Sequence, residues 1–199
     1  MSDHPEVTAI EDLMREHGLL NRLLLIYEEI VRRIQRDIPV DNNIINYVAK
    51  IIRKFIEEYH EKTEENYVFP KLVENGLRVK EVEELIKQHN LGRQLTDNIM
   101  NLTKVKDYNK TKLISHICNY IKMYRIHETR EDTVIYQDFR KLLTKKEYDE
   151  LAETFEKDEE KKLGKDGYDN TLKIVEKVEK YFGIYELSKV TIEIKQYIY

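Results

Sequence analysis

Residues 59–69 read Tyr-His-Glu-Lys-Thr-Glu-Glu-Asn-Tyr-Val-Phe, and residues 126–136 read Ile-His-Glu-Thr-Arg-Glu-Asp-Thr-Val-Ile-Tyr. Both carry His-Glu-x-x-Glu followed by a second acid, and both close on a β-branched residue and an aromatic. The likeness extends upstream. His17 and His89 are each followed by Leu at the second and sixth positions, Leu19 and Leu23 in one case and Leu91 and Leu95 in the other. The chain therefore reads as two copies of one helix pair. The first copy offers His17, His60 and Glu64; the second offers His89, His127 and Glu131.

Apolar spacing places these residues on long helices. Ile10, Leu13, Leu20, Leu24, Val31 and Ile34 recur at helical intervals in a first tract. Asp41 is a candidate N-cap for a second, which carries Ile45, Val48, Ile52, Phe55, Ile56 and Tyr59 and is expected to end at Pro70. Glu74-Asn75-Gly76 reads as a turn. A third tract shows Val82, Leu85, Ile86, Ile99 and Leu102. A fourth starts near Asn109 or Thr111 and runs through Leu113, Ile117, Tyr120, Tyr124 and Ile135. Short connections force antiparallel neighbours, so the expected fold is all-α, an up-down-up-down four-helix bundle. It should occupy residues 1–142, with residues 143–199 a helical extension packed on it.

The six repeated residues continue the apolar stripes and so face the core. His17 continues Leu13 and Leu20, His60 and Glu64 continue Ile52 and Ile56, His89 continues Leu85 and Ile86, and His127 and Glu131 continue Tyr120 and Tyr124. A His and a Glu four residues apart share a helix face, about 6 Å apart along the axis. One such pair is commonly a surface contact. Two buried glutamates, however, are costly unless paired or bound to a cation, and four histidines neutralise them only by becoming buried cations themselves. A metal answers both difficulties. Imidazole and carboxylate without thiolate suit iron, manganese or zinc. Two carboxylates between two histidine pairs are the donors of a dinuclear centre inside a bundle.

The motifs Leu13-Met-Arg-Glu-His17, Tyr59-His60 through Phe69-Pro70, Gln88-His89 and His127 through Tyr136 resemble those of the hemerythrin-like (HHE cation-binding) family. The resemblance covers nearly the whole chain. It implies a non-haem di-iron centre on His17, His60, Glu64, His89, His127 and Glu131, two iron ions with a bridging oxo or hydroxo group. It also implies small ligands of the O2, NO or peroxide kind. Oxygen-carrying members have His-x-x-x-His on the third helix and His-x-x-x-x-Asp on the fourth. Here Arg93 stands four after His89, and His127 pairs with Glu131. The four-His, two-Glu set leaves both irons with an open position, which argues against simple reversible oxygen carriage. Handling or sensing of O2, NO or peroxide is the first expectation. A di-iron redox enzyme, or an iron donor for repair of iron–sulfur centres, is the alternative.

Composition narrows the setting. The chain has 199 residues, with 34 basic and 38 acidic side chains and a formal charge of −4. No basic excess points to nucleic acid. No apolar run approaches the roughly 18–20 residues of a membrane span. A lone Cys118 and an acidic start without a signal-like apolar stretch set the expectation of a cytoplasmic protein. Arg93 is expected beside the site, holding a carboxylate or an incoming anion, with Asn21 its repeat counterpart. Tyr124 shares the His127 stripe and is expected chiefly to pack. His116 lies about 16 Å along the helix from His127, too far to join it. His4 belongs to a frayed terminus, and Glu159 and Glu160 to a solvated charge run.

Overall fold

The computed structural model describes residues 7–191, all of whose regular structure is helical. His4 lies outside these residues. Four long helices form the bundle: α1 (Ala9–Gln35), α2 (residues 42–74), α3 (Val79–Leu102) and α4 (residues 110–141). Three more follow: α5 (Lys145–Leu163), α6 (Gly167–Phe182) and the short α7 (Leu187–Val190). Each bundle helix packs on its neighbour in sequence, and α1 closes the bundle on α4. The α6 helix lies on α1, and α5 on α1 and α2.

Local chemistry sets the helix starts. Thr8 caps α1 in a reciprocal box with Glu11, and Thr144 does the same for α5 with Glu147. Asp41 caps α2 as its sequence position suggested, accepting from the Asn43 N–H at 2.9 Å, and Asn109 caps α4. Gly76 ends the α2–α3 turn with a positive φ of 68°, a conformation that costs glycine nothing.

The two helices carrying His-x-x-x-Glu are not regular. In α2, residues Ile52–His60 and Glu64–Val68 make i→i+5 bonds around a short α segment, and in α4 residues Glu131–Ile135 do the same. The repeat is visible in the backbone itself: Phe69 N–H reaches Glu64 O, and Tyr136 N–H reaches Glu131 O. Such wide turns cluster at functional sites because they re-aim side chains without ending the helix. They also explain why Pro70 does not end α2. It sits in the first turn of the α-helical segment Phe69–Glu74, directly after a wide turn, where a missing N–H is tolerated. A second correction concerns Ile86, which is exposed; the buried stripe of α3 runs instead through Val82, Leu85, His89, Gly92, Leu95, Thr96 and Ile99.

The core is split in two along the bundle axis. One cluster includes Leu20, Leu24, Tyr27, Ile52, Phe55, Ile56, Leu95, Ile99, Tyr120 and Tyr124, with Val175, Val178 and Phe182 added by α6. The other joins Ile10, Leu13, Val68, Phe69, Leu72, Leu85, Ile135, Tyr136 and Phe139 to Tyr148 and Phe155 of α5. The Tyr148 hydroxyl accepts from Ile10 N–H and donates to Thr8 Oγ1, tying α5 to the start of α1. On every bundle helix the repeated His and Glu positions fall between the two clusters. A polar layer is thus sealed from above and below.

Where α3 meets α4 the packing admits only glycine. A Cβ on Gly92 would collide with the hydroxyl and ring of Tyr124, which is fully buried and donates its own hydrogen bond to Glu61. Alanine ordinarily favours a helix by about 1 kcal/mol over glycine. Here the overpacking outweighs it, and Gly92→Ala should lower stability by about 1–3 kcal/mol in denaturant unfolding. A stabilised Gly92→Ala protein would show that the helices can separate freely at this point.

Candidate metal centre

All six residues of the repeat converge in the polar layer, each at most 3 % exposed. Their imidazoles meet in two pairs. His17 Nε2 lies 3.0 Å from His60 Nε2, and His89 Nε2 lies 3.1 Å from His127 Nε2. Between the pairs stand the glutamates. Glu131 spans them, with Oε2 3.5 Å from His17 Nε2 and Oε1 3.0 Å from His127 Nε2. Glu64 is placed differently: Oε2 alone faces both sides, 3.6 Å from His60 Nε2 and 3.4 Å from His89 Nε2. Its Oε1 accepts from the Tyr136 hydroxyl at 2.6 Å.

The other ring nitrogens show how the imidazoles are aimed. His60 Nδ1 donates to Glu16 at 2.6 Å, His17 Nδ1 to Asp132 at 2.7 Å, His89 Nδ1 to Glu65 at 3.0 Å and His127 Nδ1 to the Gln88 side-chain Oε1 at 2.9 Å. A carboxylate or amide oxygen can only accept, so each Nδ1 carries the proton and each Nε2 is turned toward the centre. Glu16 and Gln88 immediately precede the lone histidine of each copy and support the paired histidine of that same copy. Glu65 and Asp132 immediately follow the repeated glutamate, and each reaches the lone histidine of the other copy.

None of these four supports was singled out from the sequence. The acid after each repeated glutamate was visible as part of the motif, and the Glu or Gln before each lone histidine stood within the matched segments. What was missing was the rotation bringing them onto Nδ1. Tyr136 was likewise seen only as the closing aromatic. Its counterpart Phe69 stacks on His89 as Tyr136 stacks on His17, with ring centroids 5.6 Å apart in both cases, so the hydroxyl on Glu64 is the second copy's own addition. Arg93 does hold carboxylates. Its Nη2 is 2.6 Å from Glu65 and 2.7 Å from Glu61. Asn21 instead donates to the His17 carbonyl. Tyr124 reaches Glu61 rather than the centre, and His116 stays apart, half-buried on α4. Cys118 is exposed.

Whether these residues suit a metal is decided by what they leave unpaired. Glu64 Oε2 and both oxygens of Glu131 are buried without a hydrogen-bond partner, on side chains of 0 % exposure. Such atoms are rare in native proteins and call for a cation between them. Glu64, His89, His127 and Glu131 each bring a ligand atom within 4.8 Å of the others, as do His17, His60 and Glu64. The donors are imidazole nitrogen and carboxylate oxygen, so the set fits iron.

A model of the hemerythrin HHE cation-binding domain matches residues 8–113. This chain belongs to that family. The matched segment of the hemerythrin domain holds His17, His60, Glu64 and His89, and the internal repeat adds His127 and Glu131 beyond it. An uncharacterized protein of Mycobacterium bovis, and uncharacterized proteins from two strains of Mycobacterium tuberculosis, are each 42% identical over 189 residues. The alignments cover 93% of this chain and 74% of each relative. No solved structure matches the chain. Among the described residues, no helix is long and apolar enough to cross a membrane.

Without a metal the hemerythrin-type layer keeps its protons on imidazole. Burial acts to lower the pKa of His89, but the charge of Glu61, the neighbouring Glu64 carboxylate and the hydrogen bond to Glu65 raise it to about 10. Burial is likewise overcome at His17 by its hydrogen bond to Asp132 and by the adjacent Glu131 carboxylate, and its pKa stands well above the usual value. Burial would raise Glu131, yet His127 and His17 hold it well below the carboxylate range. Protonated His89 thus contributes to the metal-free fold fully below pH 6.5 and loses that contribution as pH rises toward 10. Ligation needs the opposite state, so metal affinity should climb across the same window and binding at pH 7 should release protons. Calorimetric titrations in buffers of different ionisation enthalpy measure the release. Binding without proton release at pH 7 would contradict this account.

Proposed function

We propose that this hemerythrin-family chain is a non-haem di-iron protein, holding two iron ions with a bridging oxo or hydroxo group on His17, His60, Glu64, His89, His127 and Glu131. Its ligands in this reading are O2, NO or peroxide, which it handles or senses. In this reading the site belongs to the bundle, within residues 1–142, and α5 and α6 are an extension packed on it. The observation that carries the reading is the set of three unpartnered carboxylate oxygens between two facing histidine pairs. When bound, iron supplies redox chemistry and positions open to small ligands.

The residues of the chain do the rest. Asp132, Glu16, Glu65 and Gln88 lock the imidazoles by their Nδ1 protons. Tyr136 fixes one oxygen of Glu64 and leaves the other facing the centre. The two apolar clusters exclude bulk water above and below, which strengthens every charge interaction between them. Arg93 reaches only Glu61, Glu65 and Asn90. It orients the acid that holds His89 and supports the layer without entering it.

One observation favours the redox-enzyme reading. Tyr124 packs on His127 with ring centroids 5.4 Å apart, Tyr120 stacks on Tyr124 at 4.3 Å, and Tyr27 meets Tyr120 edge-on at 5.9 Å. This file of buried phenols could carry an electron between the centre and the remote half of the bundle.

Iron analysis with anaerobic absorption spectroscopy, before and after O2, NO and peroxide, tests the proposal. About two irons per chain and a ligand-dependent spectrum are expected. Repeated turnover of peroxide would select the enzyme reading. Glu131→Ala should lose dinuclear loading, because no other carboxylate offers a separate oxygen to each histidine pair, whereas Arg93→Ala, which touches the layer only through Glu65, should keep its iron. Full loading of Glu131→Ala would remove that residue from the ligand set.

A further inference from the structure

We propose that Asp12, Glu16 and Glu159 form a separate, oxygen-only site for a hard divalent cation of the Mg2+ or Mn2+ type, at the seam between the bundle and its C-terminal helices. Asp12 and Glu16 lie one turn apart on α1, and Glu159 projects from α5. One carboxylate oxygen from each comes within 4.8 Å of the others. The sequence had placed Glu159 in a solvated run. Glu160 is exposed as expected, but Glu159 is half-buried and caps α6 by accepting from the Tyr168 N–H at 2.7 Å.

Acids gathered on a surface need no cation, and the argument rests on what is buried here. Glu16 is 1 % exposed and gives Oε2 to His60 Nδ1, while its Oε1 lacks a well-formed hydrogen bond. Tyr59 is 2 % exposed, and its hydroxyl also lacks a well-formed hydrogen bond. That hydroxyl belongs to α2 and lies beside Glu16. The facing cation is Arg15, whose Nη1 is 3.5 Å from Asp12 and whose guanidinium is stacked over Tyr168. His60 is already paired with Glu16. One guanidinium against three carboxylates leaves the cluster negative, and Asp12 accordingly rises to about 7 through burial and the charge of Glu16. A divalent cation restores the balance and satisfies the buried oxygens.

Oxygen donors without imidazole suit Mg2+, Mn2+ or Ca2+. The few protein ligands leave room for coordinated water, which favours the smaller ions. The half-buried Asp12 and Glu159 leave an approach from solvent. Glu16 is shared between this cation and His60, so occupancy would bear on how firmly that imidazole is held. The C-terminal helices thereby gain a chemical role at the bundle rather than a packing role alone.

The test uses iron-loaded full-length protein and Mn2+, with free Mn2+ read from its six-line EPR signal. One Mn2+ per chain beyond the iron is expected, with affinity reduced about tenfold or more in Asp12→Asn and in Glu159→Gln. Glu156→Gln, an exposed position on the same helix, should bind as wild type does. Mn2+ should also raise the melting temperature of wild type and not of Glu159→Gln, whose circular dichroism reports whether it is folded. Glu131→Ala, deprived of the dinuclear centre, should keep a Mn2+ equivalent that is lost when Glu159→Gln is added, so failure of the di-iron reading would leave this result standing. No saturable Mn2+ up to millimolar concentration, or an undiminished equivalent in Asp12→Asn and Glu159→Gln, would overturn the proposal.

Discussion

Two carboxylates, Glu64 and Glu131, are held at the middle of the bundle with no solvent and too few donors to satisfy them. An isolated buried carboxylate costs several kcal/mol even after local relaxation. Much of the surrounding architecture answers that cost. Four imidazoles face the pair, a tyrosine takes one oxygen, and wide helical turns begin at the glutamates themselves. The apolar clusters above and below give stability that the polar layer cannot. They also keep water from relieving the layer in the easy way.

The wide turns explain both what could be read from the chain and what could not. Periodicity of 3.6 placed Leu13, His17 and Leu20 correctly, and the duplicated motif brought His60, Glu64, His127 and Glu131 to one level of the bundle. The same periodicity failed at Pro70, where the backbone leaves it, and at Ile86 on the regular α3. Pro70 looked like a stop because a regular helix would need its N–H, and the turn at Glu64–Val68 removes that need. Ile86 looked buried because it precedes His89 by three, yet α3 turns its core face toward Leu85 and Gly92 instead. The supports on Nδ1 were beyond reach for another reason. Adjacent residues on a helix point about 100° apart, so Glu65 and Asp132 cannot help their own neighbours. Only the packing of four helices shows that they meet a histidine from the opposite copy.

The duplication is close but not perfect, and its departures fall at informative places. Phe69 became Tyr136, adding one hydroxyl on Glu64 alone. Glu16 corresponds to Gln88, so His60 is supported by a charge and His127 by a neutral amide. Arg93 braces Glu61 and Glu65, whereas its counterpart Asn21 brings no charge; Glu128, the counterpart of Glu61, rises to about 7 through burial, only partly opposed by the nearby His17. One half of the layer is therefore held by more charge than the other. Two metal positions built from the same motif would differ in basicity and in the ease with which each accepts an anion.

The crossed support of the lone histidines bears on how such a chain could arise. A single helix pair offers two imidazoles and one glutamate, but the acid it carries points away from its own lone histidine. Two identical pairs, facing each other about a twofold axis, would supply that acid reciprocally, Glu65 to one side and Asp132 to the other. The arrangement is that of two like helix pairs joined end to end in one chain. Fusion has a chemical dividend, since a symmetric dimer must alter both halves at once while a fused chain can change one. The lone hydroxyl of Tyr136 and the neutral amide of Gln88 are differences that a single chain can keep on one side only.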